Sequence, residues 1–188
     1  RSHIENFEKS FTPAFSPRES TKGQGEDDKS QIILDLIESF VLKDHVVVNN
    51  KDKLLNQLMD MLKDDIPEAN FDKVAEDLKN RGRIGGCAVP GTSVAILHTR
   101  TEGVDKGFLG VLRLKKSIPM ENMDGKMENV ETILIMLLPE KPQREAVDIM
   151  GKISVALLDN SRWLRLLKEG SGTDVIKELI RITKKTEG

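Results

Sequence analysis

The 188 residues contain no tyrosine, one tryptophan, one cysteine and three histidines. So few aromatic rings leave little for base stacking. Lysine and arginine number 29 against 31 aspartates and glutamates, with no basic stripe, so direct nucleic-acid binding by this segment is not expected. The lone Cys87 excludes an internal disulfide and fits a reducing compartment. One cysteine and the scattered His3, His45 and His98 do not make a structural zinc set, and neither a metal nor another cofactor is expected. No apolar run approaches the roughly 18–20 residues that span a bilayer. The opening Arg-Ser-His-Ile-Glu-Asn carries no secretory signal. The expectation is a cytoplasmic protein without membrane insertion. The missing initial methionine reads as a piece of something longer.

What is present is enough for one domain with a proper core and a polar tail. Residues 1–30 hold Pro13, Pro17, Gly23, Gly25 and the run Glu26-Asp27-Asp28-Lys29, which reads as a linker or tether from an upstream domain. The folded domain is expected over 31–188, with order beginning near Ser30. Ile32, Ile33, Leu36, Ile37 and Phe40 recur at helical spacing, and His45 to Val48 reads as a short strand. Asp52 is a candidate cap for a helix carrying Leu54, Leu55, Leu58, Met61 and Leu62. Pro67 is expected to open a second helix, with Phe71, Val74 and Leu78 inward.

Strands are expected at Val94 to Leu97, Phe108 to Leu114 and Thr132 to Leu138, the last apolar on both faces and suited to a central position. Beyond Pro139 and Pro142 come three helices, marked by Val147 to Leu158, Trp163 to Leu167 and Val175 to Ile182. This order argues for an α/β sandwich with a mixed sheet between helical layers.

The stretch Gly85 to Arg100 holds the candidate chemistry. Ala88-Val89-Pro90-Gly91-Thr92-Ser93 reads as a turn, and Gly91, Thr92 and Ser93 offer hydroxyl and backbone donors to an anion. Most such turns bind nothing. Leu97-His98-Thr99-Arg100 ends the following strand. A neutral imidazole can accept a phosphoryl group, and Arg100 presents a fork of N–H donors for it. On a strand, residues 98 and 100 share a face while Thr99 points to the other, so Thr99 is the candidate that only packs. Taken alone, a strand-end histidine more often hydrogen-bonds a backbone carbonyl than reacts.

Gly85-Gly86-Cys87-Ala88-Val89-Pro90 resembles the Gly-x-Ala-Ile/Val-Pro-His segment of enzyme IIA domains of the mannitol/fructose class in the bacterial sugar phosphotransferase system. Ser117-Ile118-Pro119 through Met123-Asp124-Gly125, then Val130 to Glu140, is similar to that family's next loop and central strand. The resemblance implies the family's three-layer fold and a phosphorylatable histidine at a strand end. Two departures stand out. Gly91 follows the proline where the transport enzymes carry histidine, and Ala146 stands near their second, supporting histidine.

Pro90-Gly91-Thr92 with Leu97-His98-Thr99-Arg100 is instead similar to the enzyme IIA-like regulatory domain of mannitol operon activators. That similarity implies that His98 is a regulatory phosphoryl acceptor. The donor would be a phosphotransferase-system phosphocarrier protein or enzyme IIB, and the response would pass to upstream domains of the same regulator. The alternatives are a genuine sugar-specific enzyme IIA passing phosphate to an enzyme IIB, and a protein-interaction domain that is not phosphorylated. His45 reads as structural or surface, Cys87 as a small buried hydrophobe, and Arg81 and Arg83 as solvated charges or flanks of the pocket. Met120, Met123 and Met127 read as core edge sooner than as a docking surface.

Overall fold

The computed structural model describes residues 22–49, 51–80 and 86–184. Helix α1 (Lys22–Ser39) is followed by β1 (Val41–Val46), a 3-10 turn (Lys51–Lys53), α2 (Leu54–Leu62), α3 (Phe71–Asn80), β2 (Ala88–Val89), β3 (Val94–Thr101), β4 (Phe108–Glu121) and β5 (Met127–Pro139). Three helices complete the order: α4 (Arg144–Asp159), α5 (Ser161–Glu169) and α6 (Gly172–Lys184). By internal contacts the described residues divide into two compact units, one within residues 38–141 and the other made of residues 22–37 with 142–184.

The first of these units is built on a mixed five-stranded sheet, ordered β1-β4-β5-β3-β2. β4 and β5 form an antiparallel hairpin, β1 runs parallel to β4, β3 runs parallel to β5, and β2 is antiparallel to β3. The α/β class and mixed sheet expected from the pattern are both present. β5 occupies the middle, where Ile133 to Leu138 are all buried, as the doubly apolar run predicts.

One face of the sheet packs against α2 and α3. Leu54, Leu55, Leu58, Phe71, Val74 and Leu78 share a single apolar cluster with Ala95, Leu97, Phe108, Leu112, Ile133, Ile135 and Leu137. Since Ala95 and Leu97 face these helices, alternation turns Val94, Ile96, His98 and Arg100 to the opposite face.

Several local expectations shift by a few residues. α1 begins at Lys22, inside the stretch read as tether, despite Gly23 and Gly25. The first strand is Val41–Val46, not His45 to Val48: Val41, Leu42 and Lys43 pair with Gly110, Val111 and Leu112 before a bulge. At that bulge exposed His45 adopts φ 55°; Val46 rejoins the ladder opposite Leu114, and the strand ends there, before Val47 and Val48.

Asp52 is not a cap. It lies in the 3-10 turn, and α2 starts after Lys53 with no side-chain cap. Pro67 does not open α3, which starts at Phe71 with Asn70 Oδ1 accepting the Lys73 N–H at 3.2 Å. Asn70 also donates its backbone N–H to the Gly103 carbonyl at 2.8 Å, tying α3 to the loop that follows β3.

The second unit contains α4, α5 and α6. Asn160 Oδ1 caps α5 by accepting the Trp163 N–H at 3.0 Å, and its amide donates to Glu178 Oε1 at 3.2 Å. The buried Glu178 carboxylate is also met by Arg162 and Arg181, each at 3.5 Å, so it joins the start of α5 to α6. Trp163 is fully buried and donates its indole N–H to the Ile153 carbonyl at 3.2 Å. Among the described residues, no helix is long and apolar enough to cross a membrane.

The α3–β3 junction leaves no room at Gly103. A Cβ there would lie 2.7 Å from both the Asn70 carbonyl oxygen and Val74 Cγ2. Neither atom is the end of a flexible chain. Gly103→Ala is expected to lower stability by about 1–3 kcal/mol, read as a fall in the denaturant midpoint at unchanged slope.

Candidate functional site

β3 carries the histidine and arginine singled out in the sequence. Its in-register parallel pairing with β5 sets His98 beside Met136 and Arg100 beside Leu138. Both side chains are half-buried, while the intervening Thr99 is buried and donates its hydroxyl to the Arg100 carbonyl at 2.9 Å. His98 and Arg100 therefore share a face, with Cα atoms about 7 Å apart. Thr99 belongs to the helix-covered face with a committed hydroxyl, so the sheet does not bring it to the imidazole. Nδ1 of His98 is buried.

The second group of candidates lies elsewhere. Gly91, Thr92 and Ser93 form the turn between β2 and β3, at the opposite end of β3 from His98. His98 lies five residue steps along the extended strand from Ser93, a span of roughly 17 Å. The turn residues and His98 cannot hold one phosphoryl group together, which corrects the expectation that they form a single site.

The donors of the turn are also in use. Thr92 is buried, its hydroxyl donates to the Val89 carbonyl at 2.8 Å, and the same oxygen accepts the Val94 N–H at 3.0 Å. The Ser93 carbonyl accepts from Glu131 and Thr132 and aligns β3 with β5. Exposed Gly91 gives its N–H to Glu128 Oε1 at 2.6 Å. Gly91 at φ 76° and Ser93 at φ 60° both lie in the left-handed region, and the first of these requirements explains the glycine.

Two features here were not read from the sequence. β2 was expected to be turn alone, yet Ala88 and Val89 pair with Ala95 and Val94. On its other side Ala88 bridges Asn122, and its carbonyl accepts the Met123 N–H at 3.1 Å. β2 thus sits between β3 and the tip of the β4–β5 hairpin. Glu128, paired across that hairpin with Met120, is the other missed residue. No local signal links it to Gly91, 37 residues away.

Met120 is fully buried, whereas Met127 is 63% exposed, so the three loop methionines do not act as one group. Cys87 is half-buried against the apolar cluster. Arg81 and Arg83 lie outside the described residues.

A surface cleft of about 570 Å³ at the α2–α3 junction is lined by Lys63, Asn70, Phe71 and Asp72, and by none of the candidates. The Lys63 ammonium there is held above its ordinary value by a hydrogen bond to Asp60 and by that carboxylate's charge. Among the described residues, no group of three or more histidine, cysteine, aspartate or glutamate side chains could hold a metal ion.

Thr92→Val removes a buried hydroxyl that serves two backbone groups, and is expected to cost about 1–3 kcal/mol. Any phosphoryl uptake at His98 should be left unchanged, because the turn is at the other end of the strand. Denaturant unfolding and phosphate labelling of the same sample check the two halves of this prediction.

Comparison with known proteins agrees with this architecture. Residues 37–182 match the family described as phosphoenolpyruvate-dependent sugar phosphotransferase system, EIIA 2. A "Nitrogen regulatory protein" of Pseudomonas aeruginosa is 23% identical over 131 residues, covering 70% of this chain and 82% of that protein. The "Putative transcriptional regulator MtlR" of Streptococcus mutans is 30% identical over 93 residues, or 50% of this chain, but the match spans only 14% of that longer protein. The crystal structure of nitrogen regulatory protein IIA-Ntr from Neisseria meningitidis superposes with a TM-score of 0.59 at 25% identity, covering 76% of this chain and 94% of that one. With most of its described length inside the family match and its sheet shared with a solved relative, the chain belongs to the EIIA 2 family of the phosphoenolpyruvate-dependent sugar phosphotransferase system.

Proposed function

We propose that this chain is a phosphorylation-responsive regulatory domain that accepts a phosphoryl group on His98. The observation that carries this reading is the placement of His98 and Arg100 on one face of β3, half-buried and two residues apart. With Nδ1 buried, we assign Nε2 as the nitrogen that meets an incoming donor. Its lone pair attacks phosphorus, a new N–P bond forms, and the bond from phosphorus to the donor residue breaks. The donor keeps that electron pair. The product brings about two negative charges at pH 7, part of which the Arg100 guanidinium can offset through paired N–H bonds.

The family segment quoted above supports the same residue from another direction. Ala95-Ile96-Leu97-His98 repeats its Ala-Ile-x-His part, with Leu97 in place of proline. On that reading β3 carries the acceptor itself, and Gly91 is a turn residue with no lost histidine to account for. The choice between regulation and transport then rests on two other observations. No histidine follows His98, so a supporting imidazole in the later helix is absent, and one relative carries a transcriptional regulator's name.

Within this proposal the donor is a phosphotransferase-system phosphocarrier protein or an enzyme IIB. The domain is the enzyme IIA-like part of a mannitol operon activator, and the added charge alters its contacts with upstream domains of that regulator.

The test is to incubate the chain with enzyme I, the histidine phosphocarrier and phosphoenolpyruvate, with and without an enzyme IIB, and to follow acid-labile phosphate. Wild type should label and His98→Ala should not. Arg100→Ala should label but retain the group at least about tenfold less well, the worth of one charge-assisted hydrogen bond. Equal labelling of wild type and His98→Ala would overturn the acceptor. No labelling of either would favour the interaction-domain reading, and onward transfer to an enzyme IIB and sugar would favour the transport reading.

A further inference from the structure

The contact between Glu128 and the β2–β3 turn has no role in the reading above. We propose that Glu128 is an internal anion that plugs the turn and keeps phosphate-type oxyanions out of it. Gly91 is exposed, its left-handed backbone presents its N–H to Glu128, and open space surrounds it: a Cβ there would meet nothing within 4 Å. That is the arrangement of an anion contact.

The contact is already filled. Glu128 Oε1 takes the Gly91 N–H at 2.6 Å, the short length of a charge-assisted bond. The other oxygen, Oε2, is buried without a hydrogen-bond partner. A buried carboxylate oxygen left without a donor is uncommon in a folded protein, so mere decoration of the turn is a poor account of it. Its fixed negative charge also repels a second anion at close range.

Thr92 adds to the exclusion, since its hydroxyl and backbone N–H are both directed to the Val89 carbonyl. The Gly91 N–H, a donor of the turn not spent on its own backbone, is thus occupied by the chain's own carboxylate. Phosphoryl chemistry is left to the far end of β3. This inference is independent of His98, because it concerns the turn alone.

The probe is inorganic phosphate, titrated into the ¹⁵N-labelled chain while the Gly91 amide resonance is followed. In the wild-type chain that resonance should stay in place across millimolar phosphate. In Glu128→Ala it should shift, with a half-shift concentration at least tenfold below the highest phosphate concentration at which wild type stays in place, equivalent to about 1.4 kcal/mol or more. Glu128→Gln keeps an oxygen acceptor but loses the charge, and should respond between the two.

A wild-type Gly91 amide that responds as readily as that of Glu128→Ala would overturn the proposal. So would a folded Glu128→Ala whose Gly91 amide does not respond. If Glu128→Ala fails to fold, Glu128→Gln decides: a response beyond wild type supports the plug, and none refutes it. Labelling at His98, scored on the same variants, separates failure of this inference from failure of the phosphoryl acceptor.

Discussion

The parallel pairing of β3 with β5 is the constraint on which the rest depends. β5 is buried on both faces from Ile133 to Leu138, so its own position in the sheet is fixed by apolar burial. Eight successive residues of β3, Val94 to Thr101, follow it in unbroken register. Once Ala95 and Leu97 are committed to the α2–α3 cluster, a one-residue slip would bury His98 among leucines and expose Leu97. The register therefore decides both where the imidazole stands and which neighbour shares its face. Arg100 is that neighbour and Thr99 is not.

The two ends of β3 do different work. At the start, Ser93, Thr92 and Gly91 spend their polar groups on holding the hairpin and the register. At the end, the histidine and arginine share the ladder through their backbones, while their side chains stand on the face away from α2 and α3. A turn rich in donors is an inviting phosphate site in a sequence. In the folded chain those donors stabilise the strand that carries the proposed acceptor.

Much of this was legible in the residues. The buried faces of α2, α3, α4, α5 and α6, the central place of β5, and the alternation that pairs His98 with Arg100 follow from apolar spacing of 3.6 and 2. The errors have physical reasons. Asp52 and Pro67 were read as local helix signals, but tertiary packing moved both starts, and Asn70 took the capping role because it also bonds Gly103. β1 was misplaced because Val46, Val47 and Val48 look like a strand, whereas the ladder is made by Val41 to Lys43 and, past a bulge at left-handed His45, by Val46 alone of the valine run. β2 was missed because two residues have no period. Glu128 was invisible because its meaning lies in a contact 37 residues distant, which no local pattern encodes.

The central claim is that His98 is a phosphoryl acceptor through the nitrogen away from the buried Nδ1. The most direct measurement is combined ³¹P and ¹⁵N NMR of the phosphorylated, ¹⁵N-histidine-labelled chain. With three histidines in the sequence, each imidazole can be resolved and assigned. The account predicts a phosphorus-coupled nitrogen at His98 Nε2, with His3 and His45 unchanged. A phosphoryl group on His45, on His98 Nδ1, or on no histidine at all would contradict it.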